Sequence, residues 1–415
     1  MSIASTIACH ECDLLYELPA LPEGSVAKCS RCGAVLQHHK RDSLDRTLSW
    51  TIAGLILFVV ANSFPFLAMK SGGLVRETTL ITGVVELYRQ DMQSLAVLVF
   101  LTSILFPLVQ LAGMLYLLLP LKVKRLPWWK PALVFRFIRS LQPWGMMEVF
   151  MIGILVSMVK LAKMAKVVPG IAIFSFAILI FVLAAATACL DPHLIWDRLE
   201  LDRWKAGFAT ALDKSLVSCH SCHLVCQATA VHGTGEMICP RCSSVLHQRK
   251  PNSLARTWAL VIAAAIFYIP ANVLPITTVI SLGKAQSDTI MSGVIYFILT
   301  GMWPIALVIF IASVFVPLVK LLLLTFLLIS VERKWQWRPK DRTRLYRITE
   351  AIGRWSMVDI YVVTILVALV KLGGLATIEA GPGAIYFAAV VVTTMFAAMS
   401  FDPRLIWDSM ETDYE

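Results

Sequence analysis

The chain has 415 residues, 58% of them hydrophobic and only 15% charged, with a formal net charge of +10. Soluble domains average about 45–50% apolar and about 25% charged residues, so this composition excludes a water-soluble globule. The basic excess sits in loops flanking apolar blocks, which fits anionic headgroups at a membrane surface and argues against a nucleic-acid partner.

Residues 1–42 form the first unit in chain order. Cys9, Cys12, Cys29 and Cys32 follow the pattern C-x2-C-x16-C-x2-C, in which two knuckles each offer a pair of thiolates to one tetrahedral ion. The spacing predicts a small zinc ribbon with a structural, four-coordinate ion. Rubredoxin-like iron is a chemical alternative, and paired disulfides are disfavoured where thiols stay reduced. The first 47 residues are mixed polar, so the first apolar block reads as an internal anchor.

Residues 43–200 hold four apolar blocks, at 48–69, 94–120, 144–164 and 168–190, each near the roughly 20 residues a helix needs to cross the hydrocarbon. Residues 201–252 repeat the ribbon with Cys219, Cys222, Cys239 and Cys242. Residues 253–415 repeat the spans at 258–279, 302–330, 352–372 and 381–400. The repeat runs through the whole chain. Asn62 and Pro65 return as Asn272 and Pro275, and Pro107 as Pro317. Trp144 and Glu148 return as Trp355 and Asp359, and Asp191-Pro192 as Asp402-Pro403. Four spans per unit put both units in the same orientation, so the repeats are parallel. The predicted fold is all-α and polytopic: eight transmembrane helices in two parallel four-helix repeats, each preceded by a cytoplasmic zinc ribbon.

Charge sets the orientation. The loop after span two carries Lys122, Lys124, Arg125, Lys130, Arg136 and Arg139, and the loop after span six carries Arg333, Lys334, Arg338, Lys340, Arg342, Arg344 and Arg347. Both loops, and with them both termini, are predicted to be cytoplasmic. At the opposite face, Pro65 and Pro275 are expected to end or bend spans one and five, or to line an entrance. The segments Thr78–Tyr88 and Asp288–Ile298 are too short to span, and are expected to lie on the outer surface or dip back in.

Ionisable groups inside spans are functional candidates, because burying one costs at least about 2.5–3.5 kcal/mol. Lys160 and Lys371 sit near helix ends, where snorkelling explains them. Glu148 and Asp359 begin spans three and seven, as helix caps or as functional acids. Lys320 lies deep in span six, three residues after Pro317, where the first unit has neutral Gln110. It is expected to face the interior and pair with Glu148, Asp359 or a hydroxyl such as Thr394, as a structural ion pair or as a functional cation. All eight histidines fall outside the spans, which disfavours haem ligation, and no Walker A, HExxH or GxSxG pattern occurs. The chain therefore reads as a non-enzyme.

The doubled ribbons, the Asn-x2-Pro elements, Arg354-Trp355-Ser356-Met357-Val358-Asp359 and Phe401-Asp402-Pro403-Arg404-Leu405-Ile406-Trp407-Asp408 together resemble the paraquat-inducible protein A family. They are also similar to the sister family that partners the lipophilic envelope-spanning tunnel. The resemblance implies a bacterial inner-membrane subunit of an intermembrane phospholipid transport system, passing lipid to or from a periplasm-spanning MCE-domain tunnel protein. On that reading Lys320, Glu148, Asp359 and Thr394 are candidates for lipid contact or charge coupling. The competing readings are a zinc-containing membrane redox or stress sensor, and a structural anchor for a periplasmic assembly.

Overall fold

The computed structural model describes residues 5–19, 21–71, 74–123, 125, 127–161, 166–199, 216–227, 237–281, 284–353, 357–369 and 376–410. The chain opens with two antiparallel hairpins, β1 (Ser5–Ala8) with β2 (Leu15–Leu18) and β3 (Val26–Lys28) with β4 (Val35–His38). Helix α1 (Ser43–Ser63) is followed by strands β5 (Leu67–Ser71) and β6 (Leu74–Thr78), and then by α2 (Leu80–Arg89). The next span is one continuous helix, α3 (Gln93–Phe100), a π-helical turn at Leu101–Leu105, and α4 (Phe106–Lys122). An amphipathic helix α5 (Pro131–Leu141) and a 3-10 turn lead into α6 (Met147–Leu161). Strand β7 (Lys166–Pro169), α7 (Ile171–Cys189) and α8 (Pro192–Leu199) close the first half.

The second half repeats this order. A hairpin of β8 (Leu216–Ser218) and β9 (Val225–Gln227) precedes α9 (Ser253–Val273), β10 (Thr277–Ser281), β11 (Lys284–Asp288) and α10 (Ile290–Leu299). Then come α11 (Trp303–Phe310), a π-turn at Ile311–Phe315, α12 (Val316–Glu332), α13 (Pro339–Ile352), α14 (Val358–Leu369), β12 (Ala376–Ala380), α15 (Pro382–Ser400) and α16 (Leu405–Asp408).

The protein is a multi-pass membrane protein of mainly helical fold. Among the described residues, seven helical stretches are long and apolar enough to cross a membrane. The eighth expected span, 352–372, is represented by α14, twelve residues as described, with 370–375 outside the described residues. Three boundaries differ from the sequence reading. Spans one and five stop at Ser63 and Val273, because Pro65 and Pro275 cannot continue the ladder, and Asn62 and Asn272 each donate to the carbonyl four residues back at 2.8 Å. The apolar residues beyond them belong to strands. The third stretch, Pro131–Val159, takes in α5, the 3-10 turn at Gln142–Trp144 and most of α6, so it begins well before the expected 144.

Those strands are an addition to the all-α expectation. In each half a hairpin after the first span takes a third strand from the segment before the fourth, in the orders β6-β5-β7 and β11-β10-β12. Leu67 pairs with Thr78 and Pro169, and Thr277 with Asp288 and Ala380. The short helices α2 and α10 follow these sheets at the end of the molecule away from the ribbons.

At the ribbon end each half is closed by one serine. Ser43 Oγ donates to Cys189 O at 2.8 Å and accepts from Asp191 N at 2.9 Å. Ser253 does the same with Ser400 O at 2.8 Å and Asp402 N at 3.0 Å. Lys40 and Lys250 add charge-assisted bonds to the carbonyls ending α7 and α15, at 2.7 Å on Leu190 O and 2.8 Å on Met399 O. These clamps pair α1 with α7 and α9 with α15. They satisfy carbonyls that a helix C-terminus leaves open, which accounts for the repetition of Ser43 and Asp191. The halves meet along α6 and α14. Gly153 on α6 allows this approach, since a Cβ there would lie 2.8 Å from the Tyr361 Cβ. Both π-turns directly precede a proline, Pro107 or Pro317. The ring lacks an N–H and crowds the carbonyl four residues earlier, and a one-residue bulge relieves both defects.

Candidate functional site

The cysteines are gathered by turns of one kind. In the first ribbon Asp13 N donates to Cys9 O at 2.9 Å and Gly33 N to Cys29 O at 2.9 Å; His223 and Ser243 repeat the bond to Cys219 O and Cys239 O. The donor in each turn sits at positive φ (60° at Asp13, 75° at Gly33, 59° at His223, 55° at Ser243), which costs glycine nothing and the other three a little. Each set of four sulfurs is buried, with all ligand atoms within 4.8 Å of one another. The closest cross-knuckle sulfur separations are 3.5 Å in the first ribbon and 3.5 and 3.6 Å in the second. A tetrahedron with metal–sulfur bonds of about 2.3 Å has an edge of about 3.8 Å, so both sets can hold a metal ion. Hydrogen bonds shared among the thiols hold one of each set, Cys9 and Cys219, below its usual value and push others, such as Cys12 and Cys222, above it. A ready thiolate is what a metal ligand requires.

The ribbons are crossed over the two halves. The first ribbon packs on the second half: Arg31 lies 4.6 Å from the Trp407 ring centroid, and Arg347 of α13 donates through Nε to both Glu11 oxygens at 2.7 and 2.8 Å and through Nη2 to Cys32 O at 3.1 Å. The second ribbon packs on the first half. Arg241 lies 5.5 Å from the Trp196 centroid and 3.2 Å from Asp197, and Arg136 of α5 donates to Cys242 O at 3.4 Å. Residue for residue these contacts are equivalent: Arg31 with Arg241, Trp407 with Trp196, Arg347 with Arg136. The ribbons also touch each other. His10 and His223 rings are 5.8 Å apart, and Asp13 of the first ribbon pairs with both Arg249 and Arg404. Burial lowers the pKa of His10 and His223, so these two rings meet as neutral imidazoles.

Within the helices, Lys320 is 3% exposed and reaches a cavity of about 410 Å³ at the ribbon end, between α5, α12, α13 and α15. Its Nζ fits against Gly353, where a Cβ would stand 2.7 Å away. Thr394 is buried on α15 next to the cavity-lining Met395, and its hydroxyl donates to Val391 O at 3.0 Å. No hydrogen bond joins it to Lys320. Glu148 corrects the expectation of a Lys320–Glu148 pair. It is exposed at the start of α6 and lines a separate cavity of about 80 Å³ with Gln110. The side chains of Lys160 and Asp359, and the whole of Lys371, lie outside the described residues.

At the far end, the second half has a cleft of about 440 Å³ between α10, α14 and β10, lined by polar Asp288, Thr289 and Ser292 and by apolar Phe297, Val362 and Leu366. The corresponding first-half cavity is about 30 Å³. There Gly83 of α2 packs on α14, a Cβ meeting Thr364 Cγ2 at 3.1 Å, whereas the equivalent Gly293 has nothing within 4 Å. The sequence reading also missed a cross-half bond, Tyr361 OH to Thr102 Oγ1 at 2.8 Å. Its signal was present: the equivalents of Tyr361 and Thr102 are Phe150 and Ala312, so both partners change together between repeats.

Comparison with known proteins gives a consistent picture. The profile described as Paraquat-inducible protein A matches residues 44–200 and 254–411. The chain is 35% identical over 422 residues to "Intermembrane transport protein PqiA" of Escherichia coli strain K12, covering 99% of this chain and 98% of that one. It is 29% identical to a "Probable intermembrane transport protein" of Haemophilus influenzae, covering 97% and 95%. To "Lipophilic envelope-spanning tunnel protein A" of Escherichia coli K12 it is 30% identical, covering 97% and 91%. No solved structure matches the chain.

Proposed function

Because this chain belongs to the paraquat-inducible protein A family, we propose that it is the inner-membrane subunit of an intermembrane phospholipid transport system, handing lipid to or from a periplasm-spanning MCE-domain tunnel protein. The observation that carries this reading is the cleft of about 440 Å³ at the far end of the second half, lined by both polar and apolar side chains as an amphiphile demands, in a chain related over almost its whole length to a protein named for intermembrane transport.

The orientation follows from charge. The ribbons sit at the end bearing the basic helices α5 and α13, so we assign that end and both termini to the cytoplasm and the two three-stranded sheets to the periplasm. We divide the chain into ribbon 1 (1–42), unit 1 (43–200), ribbon 2 (201–252) and unit 2 (253–415). Cys9, Cys12, Cys29 and Cys32 would hold one zinc ion and Cys219, Cys222, Cys239 and Cys242 a second. With four protein ligands each ion stabilises its ribbon and leaves no open position for catalysis, which supports a non-enzymatic role. Lys320, Glu148, Asp359 and Thr394 are assigned to lipid contact or charge coupling within the spans.

The test is gentle detergent purification from the native membrane, with mass spectrometry of copurifying proteins, lipids and metal. An MCE-domain partner with phospholipid and two zinc ions per chain is expected. Two zinc ions with neither partner nor lipid would turn the reading toward a sensor or an anchor.

A further inference from the structure

The cavity at Lys320 has the chemistry of an anion site. Lys320 is 3% exposed, and among the described residues no carboxylate forms an ion pair with it. A buried ammonium is costly unless something compensates it. Arg139, contributed by α5 of the other half, lines the same cavity and is likewise without an ion pair among the described residues. Arg347 is committed to Glu11, and Glu350 stands exposed on the cavity wall. Among the described residues the cavity is therefore lined by three cations, Arg139, Lys320 and Arg347, and one carboxylate, Glu350. On the remaining side Met395, with its neighbours on α15, supplies an apolar wall.

The repeat gives an independent argument. The equivalents of Lys320 and Gly353 are Gln110 and Gln142, and the corresponding first-half cavity is about 80 Å³ against about 410 Å³ here. The second half carries a cation where the first has an amide, and beside it a glycine where the first has a side chain. A Cβ at Gly353 would stand 2.7 Å from Nζ. Charge and space differ from the first half together, as a built site requires. A volume of about 410 Å³ falls in the range of ligand pockets, roughly 300–1,000 Å³, and exceeds what a bare ion would fill.

We propose that this cavity binds a phosphate ester presented from the ribbon side, with Lys320 as the buried cation and Arg139 as the second. The proposal deepens the transport reading and rests on it for one point, the choice of a phospholipid as a probe.

Binding is measured by calorimetry on the full-length, metal-loaded protein in detergent, with a short-chain phosphatidic acid and inorganic phosphate as separate probes, for the native chain, Lys320→Met and Arg139→Gln. Metal content and melting temperature report that each variant is folded. Each substitution should weaken binding about tenfold or more, the loss expected for one charge-assisted hydrogen bond. Charge-dependent binding of phosphatidic acid alone identifies a headgroup, and charge-dependent binding of inorganic phosphate identifies a soluble source; either upholds the site. Native binding of neither probe, or binding unchanged in both folded variants, overturns it and leaves the transport reading standing. A chain that binds in this charge-dependent way but copurifies with no tunnel partner and moves no lipid upholds the site and sinks the transport reading.

Discussion

The first half of the molecule is closed where the second is open. At the ribbon end the cavity beside Gln110 measures about 80 Å³ and that beside Lys320 about 410 Å³; at the far end the corresponding figures are about 30 and 440 Å³. The frame is the same in both halves: serine clamps, π-turns before prolines, and a three-stranded sheet under a short helix. The openings come from small changes upon it. Gln142 becomes Gly353, Gln110 becomes Lys320, and α10 stands clear where α2 packs down on α14. A duplicated membrane scaffold can thus keep its backbone and assign different tasks to its halves through single side chains and one displaced helix.

The largest expected effect tests whether the ribbons are equal. Cys29→Ser and Cys239→Ser should each lower bound metal from two ions to one per chain by elemental analysis and unfold the ribbon concerned, since metal binding in such modules is worth about 10–16 kcal/mol. Two ions retained in either variant would remove the four-thiolate sites. Next, Gly83→Leu should cost about 1–3 kcal/mol by overpacking against Thr364, while Gly293→Leu should stay within about 0.5 kcal/mol; equal shifts in melting temperature would break the contrast between closed and open. Arg347→Gln should cost about 1 kcal/mol, discounted for partial exposure, and speed proteolysis of the first ribbon. Arg136→Gln, with one long bond to Cys242 O, should change the second ribbon less. Smallest is Tyr361→Phe, which makes the second half like the first at this position. It should cost about 0.6 kcal/mol, typical of a hydrogen bond between spans, and combining it with Thr102→Ala should cost little more.

What the sequence discloses follows from the range of the interactions involved. Cysteine spacing and apolar blocks are local, and both ribbons and the long spans were legible from them. The strands were not. Leu67–Met69 keep the apolar character of α1 beyond Pro65, and the third strand of their sheet, β7, lies about a hundred residues away. Lys320 was visible as an oddity between repeats, but its surroundings come from α5, α13 and α15, and nothing in a single chain says which distant residues share a cavity. The crossing of the ribbons was hidden for a different reason. Arg31 and Arg241 are equivalent, as are Trp407 and Trp196, so docking on its own half or on the other would use the same residue types at the same spacing.

That crossing sets an order of assembly during synthesis. The second ribbon leaves the ribosome after α5 and α8 exist, and finds its seat ready. The first ribbon is made long before its seat, α13 and α16. Its hairpins and Glu11 must wait, undocked, until those helices have been made. A chain stopped before residue 339 would display a free first ribbon on an incomplete second half, a state that quality-control proteases can read. Synthesis of α13 and α16, rather than formation of any single span, is what seats the first ribbon.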